Sequence, residues 1–256
     1  MFKAQLIGTF GLAQKEITRV VRIWTQTFVS SIVTMALYLI IFGHILGQHI
    51  GTINGYSYID FLAPGLIMMQ VITSSYSNTA SSIFGQKFNR SIEEILVSPM
   101  NPLAIITGFC LGSIFRAAVL AISLIIVAHF LTQIVIAHVV ATIFVILLCS
   151  ILMSLLGLVN GIFANHFDQL NMINSFIITP LIYLGGVFYS IYRLPPLWQK
   201  ISLLNPIAYM VGLFRYTFIG YHIPHIYIAY TTLIILNLAL IAINYYLLSA
   251  GIKIKK

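Results

Sequence analysis

At 256 residues, with 60% hydrophobic and only 7% charged side chains, the chain is too apolar for an ordinary soluble domain, in which about 25% of residues are charged. Its net charge of +8 is spread thinly between apolar stretches, which excludes a nucleic-acid patch and points to loop charges that set membrane topology. Uncharged spans cover 23–59, 61–86, 117–167, 169–192 and 216–252. About 20 apolar residues cross a hydrocarbon core as a helix, so the chain reads as an all-α polytopic membrane protein, residues 1–256 forming one transmembrane domain.

The first residues lack the apolar core and small-residue cleavage site of a signal peptide. Instead Phe2, Leu6, Phe10, Ala13, Ile17, Val20 or Val21, and Trp24 recur every three or four positions, with Lys3, Lys15, Arg19 and Arg22 on other faces. Residues 1–23 are expected to lie in the membrane interface as an amphipathic helix; the alternative is an extended start to the first crossing. Six crossings are predicted, at 24–46, 61–83, 103–128, 137–163, 172–187 and 226–248. An even number puts both termini on one side. Lys3, Lys15, Arg19, Arg22, Lys87, Arg90, Lys253, Lys255 and Lys256 then share that side, against Arg193, Lys200 and Arg215 on the other. Basic loops stay in the cytoplasm, so both ends are expected there, the tail of 226–256 included.

The second crossing changes character halfway, at Thr73, Ser74, Ser75, Tyr76, Ser77, Asn78, Thr79, Ser81 and Ser82. This suits a helix facing a hydrated cavity, with Ser74, Ser77 and Asn78 as pathway candidates. It equally suits close helix packing with hydrogen bonds across the contact. Arg116 falls well inside the third crossing, where a charge costs a few kcal/mol and must face a partner or water. It either lines a path or holds a domain in register, or it snorkels or binds a helix carbonyl. The pairs Gly108/Gly112 and Gly157/Gly161 have the spacing of closely packed helices. Gly43, Gly47, Gly51 and Gly55 run into the first external loop, where turns are expected. Cys110 and Cys149, both in apolar segments, read as buried thiols rather than a disulfide.

The loop at 85–102 reads GQKFNRSIEEILVSPMNP. Ser91 and Glu94 have capping-box spacing, both Glu93 and Glu94 fall in a first helical turn, and Ile92, Ile95 and Leu96 form one apolar edge that Pro99 ends. A short helix along the membrane, charged on one edge, is either a handle for a cytoplasmic partner or a capped connector. Residues 188–225 carry Pro195, Pro196, Pro206 and Pro224, and are too apolar for an ordinary loop yet too broken for one helix. Two short re-entrant helices fit best, with Ser202 and Asn205 as cap or turn residues.

The seven histidines include His44, His49, His129, His138, His222 and His225 at water-facing ends, and none has metal-site spacing. His166 and Asp168 fall in a short cytoplasmic turn. No G-x-x-x-x-G-K-[ST] occurs, so this chain has no Walker cradle for ATP phosphates.

The segments PGLIMMQVITSSYSNTASSIFGQKFNRSIEEILVSPMNP and FDQLNMINSFIITPLIYLGGVFYSIYRLPPLWQKISLLNPIAYMVGLFRYTFIG resemble the ABC-2-type family of ATP-binding-cassette transporter permeases. The resemblance spans essentially the whole chain, and Pro180, Gly185, Gly186, Phe188, Pro195, Pro196, Asn205, Pro206, Arg215 and Tyr216 are its specific part. It implies a dimeric permease, each subunit docked on a separate ATPase that binds ATP and magnesium, with no cofactor on this chain. It implies a coupling helix carrying Arg90, Ser91, Glu93, Glu94, Ser98 and Pro99, re-entrant helices near 195–220, and a path lined by the first, second and fifth crossings. The expected activity is export across the inner membrane of a hydrophobic, lipid-linked or glycan substrate. A passive channel or scramblase, or an intramembrane enzyme, is the alternative; the latter lacks paired carboxylates or a nucleophile motif. The outer aromatics Tyr183, Phe188, Tyr189, Tyr192, Trp198, Tyr209, Phe214 and Tyr216 fit either a hydrophobic cargo or an interfacial belt in contact with lipid.

Overall fold

A computed structural model describes residues 2–98, 100–132 and 134–253. Pro99, Lys255 and Lys256 lie outside the described residues, as do the side chains of Phe2, Ala4, His44, Leu46, Gln48 and Leu96.

Helix α1 runs Phe2–Arg22, and after Trp24 the chain continues through a wide π-helical turn at Thr25–Val29, α2 at Ser30–Tyr38, a second π-helical stretch at Leu39–Leu46 and α3 at Gly47–Ile50. A two-stranded antiparallel hairpin follows, β1 (Thr52–Ile53) against β2 (Tyr56–Ser57). It is the one departure from all-α structure among the described residues. Gly51 and Gly55, at φ +74° and +88°, supply the left-handed backbone it needs. Helix α4 (Tyr58–Phe88) is the central element; α5 (Ile92–Val97) is the short loop helix, and α6 (Pro102–Thr132) and α7 (Val139–Phe163) are long and apolar. Helix α8 (Phe167–Ile173), a third π-helical turn (Asn174–Ile178) and α9 (Thr179–Leu184) make one continuous rod. The short helices α10 (Pro196–Leu203) and α11 (Pro206–Ile219) precede α12 (Ile226–Ala250).

Among the described residues, four helices are long and apolar enough to cross a membrane: Thr25–Gly43, Pro102–Thr132, Val139–Phe163 and Ile226–Ala250. The predicted second and fifth crossings are helical but differ in kind. In α4 the Ser/Thr/Asn half lowers the apolarity, and the rod from Phe167 to Leu184 begins earlier than 172 and stops short of 187 because Gly185 caps it and Gly186 turns left-handed.

Small residues decide how the long helices meet. A Cβ at Gly157 or Gly161 would collide with the α4 backbone at Tyr76 and Ala80 and with Ile83, so α7 presses directly on α4. Gly108 and Gly112 make the same close approach to α1, at Leu12 and Glu16. Close packing is therefore the role of both glycine pairs. Asn237 and Asn244, seven positions apart and on one face of α12, donate to the Leu148 and Leu155 carbonyls of α7 at 3.3 and 3.1 Å. Cys110 and Cys149 are buried and free.

The expected apolar stripe of α1 divides in two. Ala13 and Val20 are buried with Leu12 against α6, whereas Leu6, Phe10, Val21 and Trp24 stay exposed on the other side. The buried face also takes in Glu16, which is 1% exposed. Leu12, Glu16 and Val20 are spaced four apart, so they stack on one face.

Candidate functional site

Where α1 and α6 lean on the polar half of α4, hydrogen bonds replace apolar packing. Ser74, Ser75, Asn78, Thr79 and Ser82 are buried there. The Thr79 hydroxyl bonds Ser113 of α6 at 2.5 Å and Ser154 of α7 at 2.7 Å, and Asn160 Nδ2 donates to the Tyr76 hydroxyl at 2.6 Å. Buried hydroxyls so paired escape the cost of an unsatisfied polar group. Thr73, Ser77 and Ser81 lie on another side of α4 and are only half-buried. Ser81 nonetheless joins the contact with α1, its hydroxyl accepting from Arg19 Nη1 at 3.3 Å.

Arg116 is held by polar side chains of α4 rather than by a helix carbonyl. Its Nε donates to Ser74 Oγ at 2.9 Å and its Nη1 to Asn78 Oδ1 at 3.3 Å. Arg19 reaches the same place from α1, its Nη2 donating to the Asn78 carbonyl at 2.7 Å and to Asn78 Oδ1 at 2.9 Å. It is thus part of the helix contact rather than a free cytoplasmic cation. Glu16 pairs with Arg19 at 3.1 Å and accepts from Ser82 at 2.5 Å and Gln86 at 3.4 Å. Sequence reasoning passed over Glu16, although its register with Leu12 and Val20 was the signal of a buried carboxylate.

The loop helix α5 is anchored by Ile92, which is buried with Leu12, Ile83, Ile105 and Phe109. Glu93 and Glu94 are exposed. The predicted capping box does not form. Arg90 takes a left-handed φ of +59°, so Ser91 is already helical (φ −71°, ψ −12°) and its hydroxyl turns back to the Gln86 carbonyl at 3.4 Å. An N-cap needs an extended backbone to aim its side chain at the first free N–H groups. Ser98 is extended and donates to the Ile95 carbonyl at 2.6 Å. A groove of about 260 Å³ separates α5 from α1, with Glu94 and Ser98 on one wall and Gly8 and Lys15 on the other. Lys87 Nζ, near the end of α4, donates to the Ile162 and Ala164 carbonyls at 2.8 and 2.9 Å, satisfying the C-terminus of α7. Asp168 lies in the first turn of α8, with exposed His166 just before it.

At the opposite end, Pro195 precedes α10 and Pro196 opens it; Pro206 opens α11 behind an Asn205 cap that accepts from Ile207 N–H at 2.9 Å. Proline at a first helical position loses no hydrogen bond. Ser202 is buried and contributes its carbonyl to the turn, accepting from Asn205 N–H at 3.1 Å.

Arg215, counted among the outer-side charges and placed in the re-entrant segment from sequence, lies in α11 and is buried. Its Nε donates to the Phe61 carbonyl at 3.1 Å and its Nη2 to those of Gly186 and Val187 at 3.1 and 3.2 Å, while the guanidinium lies 3.6 Å from the Phe61 ring centre. It ties α11 to α4 and to the broken end of α9. A pocket of about 260 Å³ opens beside it, lined by Tyr192, Tyr209, Tyr221, Ile223 and Ile228.

Residues 8–219 match the ABC-2 type transporter family. The chain is similar to the inner membrane transport permease YadH of Escherichia coli K12, at 44% identity over 93% of each chain. It is also similar to nodulation protein J of Rhizobium leguminosarum bv. viciae, at 27% identity over 74% of each chain. With a fold dominated by long apolar helices, these matches place the chain in the ABC-2 type transporter family, as a membrane permease and not as the ATPase.

Proposed function

We propose that the chain is the permease of an inner-membrane exporter, crossing the bilayer six times with both ends cytoplasmic, and that a separate ATPase binding ATP and magnesium drives it. The observation that carries this reading is the pairing of a transporter-family membrane domain with a sequence that lacks a phosphate cradle. Work must then arrive from outside. Length supports two further crossings: α4, with 31 residues, extends about 46 Å at ~1.5 Å per residue, and the rod from Phe167 to Leu184 about 27 Å. The basic residues on the α1 and α5 side support the orientation.

The ATPase docks on α5, in this reading, through Arg90, Ser91, Glu93, Glu94 and Ser98. Exposed Val97 and Phe88 add apolar contact beside the two carboxylates. Nucleotide favours one global state of the pair, and α5 passes that preference through Ile92 to α1, α4 and α6. A second copy covers the exposed apolar side chains of the first crossing (Val29, Val33, Leu37) and of the fifth (Phe176, Ile177). Between the copies run the half-buried stripe of Thr73, Ser77 and Ser81 and the guanidinium of Arg116. The α10–α11 pair, with Pro195, Pro196, Asn205, Pro206 and Arg215, forms the re-entrant outer rim. An apolar cargo, lipid-linked or glycan-bearing, fits the aromatic lining near that rim.

The deciding experiment co-expresses the chain with a candidate ATPase and reconstitutes both. ATP-dependent accumulation should require the two together. Uphill movement by the purified chain alone, or reporter fusions that place its tail and α5 on opposite faces, would overturn the proposal.

A further inference from the structure

Three charged side chains meet in the half of the protein that carries α5, and their charges do not cancel. Glu16 is committed to Arg19, at 3.1 Å. Arg19 Nη2 and Arg116 Nη1 then both donate to one neutral oxygen, Asn78 Oδ1, at 2.9 and 3.3 Å. The orientation of that amide is set, because its Nδ2 donates to Ser113 Oγ at 3.3 Å. Two guanidiniums against one carboxylate leave a net charge of +1 (2 − 1).

No other acidic side chain among the described residues pairs with either guanidinium. The remaining acidic residues are Asp60 at the start of α4, Glu93 and Glu94 on α5, and Asp168 on α8. Asp60 lies more than four turns up α4 from Asn78, and the Glu93, Glu94 and Asp168 side chains are exposed. Among the described residues Arg116 bonds only Ser74 and Asn78, and Arg19 Nε is buried without an acceptor. An uncompensated cation among apolar helices costs a few kcal/mol, so an arrangement that puts two on one amide oxygen is completed by an anion from outside. The neighbouring Thr73, Ser77 and Ser81 are small and half-buried, and Ser81 Oγ accepts from Arg19 Nη1 at 3.3 Å.

We infer that Arg116, with Arg19 beside it, forms an oxyanion site for the phosphate-type headgroup of an amphiphile. This rests on the transport reading for its biological sense, since the amphiphile is either the cargo or a resident anionic lipid. The fork of the guanidinium suits a tetrahedral oxyanion.

The test titrates dodecyl phosphate into the purified chain in phosphatidylcholine nanodiscs, alongside uncharged dodecyl glucoside and cationic dodecyltrimethylammonium. Dodecyl phosphate should bind saturably and the other two should not. Arg116→Gln should weaken that binding at least tenfold, and Arg116→Lys less. Asn78→Asp supplies the missing carboxylate from within, keeps the side-chain shape, and should also weaken binding at least tenfold. Lys15→Gln, an exposed cation on α1, should leave it unaltered.

Nanodiscs containing phosphatidylglycerol separate the two sources. If a lipid fills the site, these discs abolish the response to dodecyl phosphate in the wild type; if cargo fills it, the response survives. Equal binding of the cationic probe, or undiminished binding by both Arg116→Gln and Asn78→Asp, overturns the site. Neither readout needs the ATPase, so failure of the chain to pair with one would refute the transport reading and leave this result standing.

Discussion

Gly65 of α4 lies directly beneath the guanidinium of Arg215. A Cβ at Gly65 would sit 3.0 Å from Arg215 Nη2 and 2.7 Å from the Val187 carbonyl oxygen. Neither neighbour can give way, because each is bonded to the other. Within a helix, Gly→Ala normally stabilises by about 0.5–1 kcal/mol. Here overpacking should dominate and Gly65→Ala should cost roughly 1–3 kcal/mol. Arg215→Lys should be comparably harmful, since a point-like ammonium cannot span the Phe61, Gly186 and Val187 carbonyls as a planar fork does. Thermal unfolding in detergent checks both; a Gly65→Ala protein that melts at or above the wild-type temperature would remove the clamp.

The glycines of α4 and α7 provide an internal control for packing. Gly161→Ala drives a methyl into Ile83 and the Ala80 carbonyl, whereas an added Cβ at Gly85 meets nothing within 4 Å. We expect Gly161→Ala to destabilise by about 1–3 kcal/mol and Gly85→Ala to stabilise by up to about 1 kcal/mol. The two substitutions are chemically identical, so opposite shifts in melting temperature isolate the helix contact from propensity. Shifts of the same sign would mean that α4 and α7 do not approach as described.

Long apolar spans made the helices around α6, α7 and α12 legible from sequence, because length and hydropathy report burial in lipid without reference to partners. Proline and asparagine made the α10–α11 turn legible, since Pro206 and Asn205 act locally. What stayed hidden was set by partners distant in the chain. Nothing local distinguishes Arg215 from a loop cation; its acceptors are 28 to 154 residues away. Glu16 was hidden differently. Its spacing from Leu12 and Val20 placed it on a buried face, but the room at Gly112 and the bonds to Arg19, Ser82 and Gln86 make that burial tolerable. The capping box at Ser91 failed because one residue, Arg90, adopts a left-handed turn that spacing does not reveal.

Glu16→Gln tests whether α1 is fixed by charge or by shape. The amide keeps the volume facing Gly112 and can still bond Ser82, but it removes the partner of Arg19. Breaking a buried pair costs about 3–5 kcal/mol; Arg19 is 30% exposed, so water offsets part of this and about 1–3 kcal/mol is expected. The loss should appear as release of α1 from α6, read as faster labelling of a Leu12→Cys reporter by a membrane-impermeant thiol reagent. Unchanged labelling would leave the Arg19 contacts with Asn78 sufficient to hold the helix.

Glu93 and Glu94 are exposed, which should make them dispensable for folding. The helix that carries them is held by Ile92 on its opposite edge, so Glu93→Lys with Glu94→Lys should leave the melting temperature unchanged. A single exposed ion pair contributes only about 0.2–1 kcal/mol, but reversal would replace attraction with repulsion at two adjacent points on the proposed docking surface. Affinity for the ATPase should fall about tenfold or more, and export should fall with it while the ATPase retains its own hydrolysis. Raising the ionic strength should narrow the gap between variant and wild type, since exposed charges are screened beyond about 10 Å at 0.1 M salt. A salt-independent loss would point to a distorted helix instead, and full affinity with undiminished export would move the docking surface away from α5.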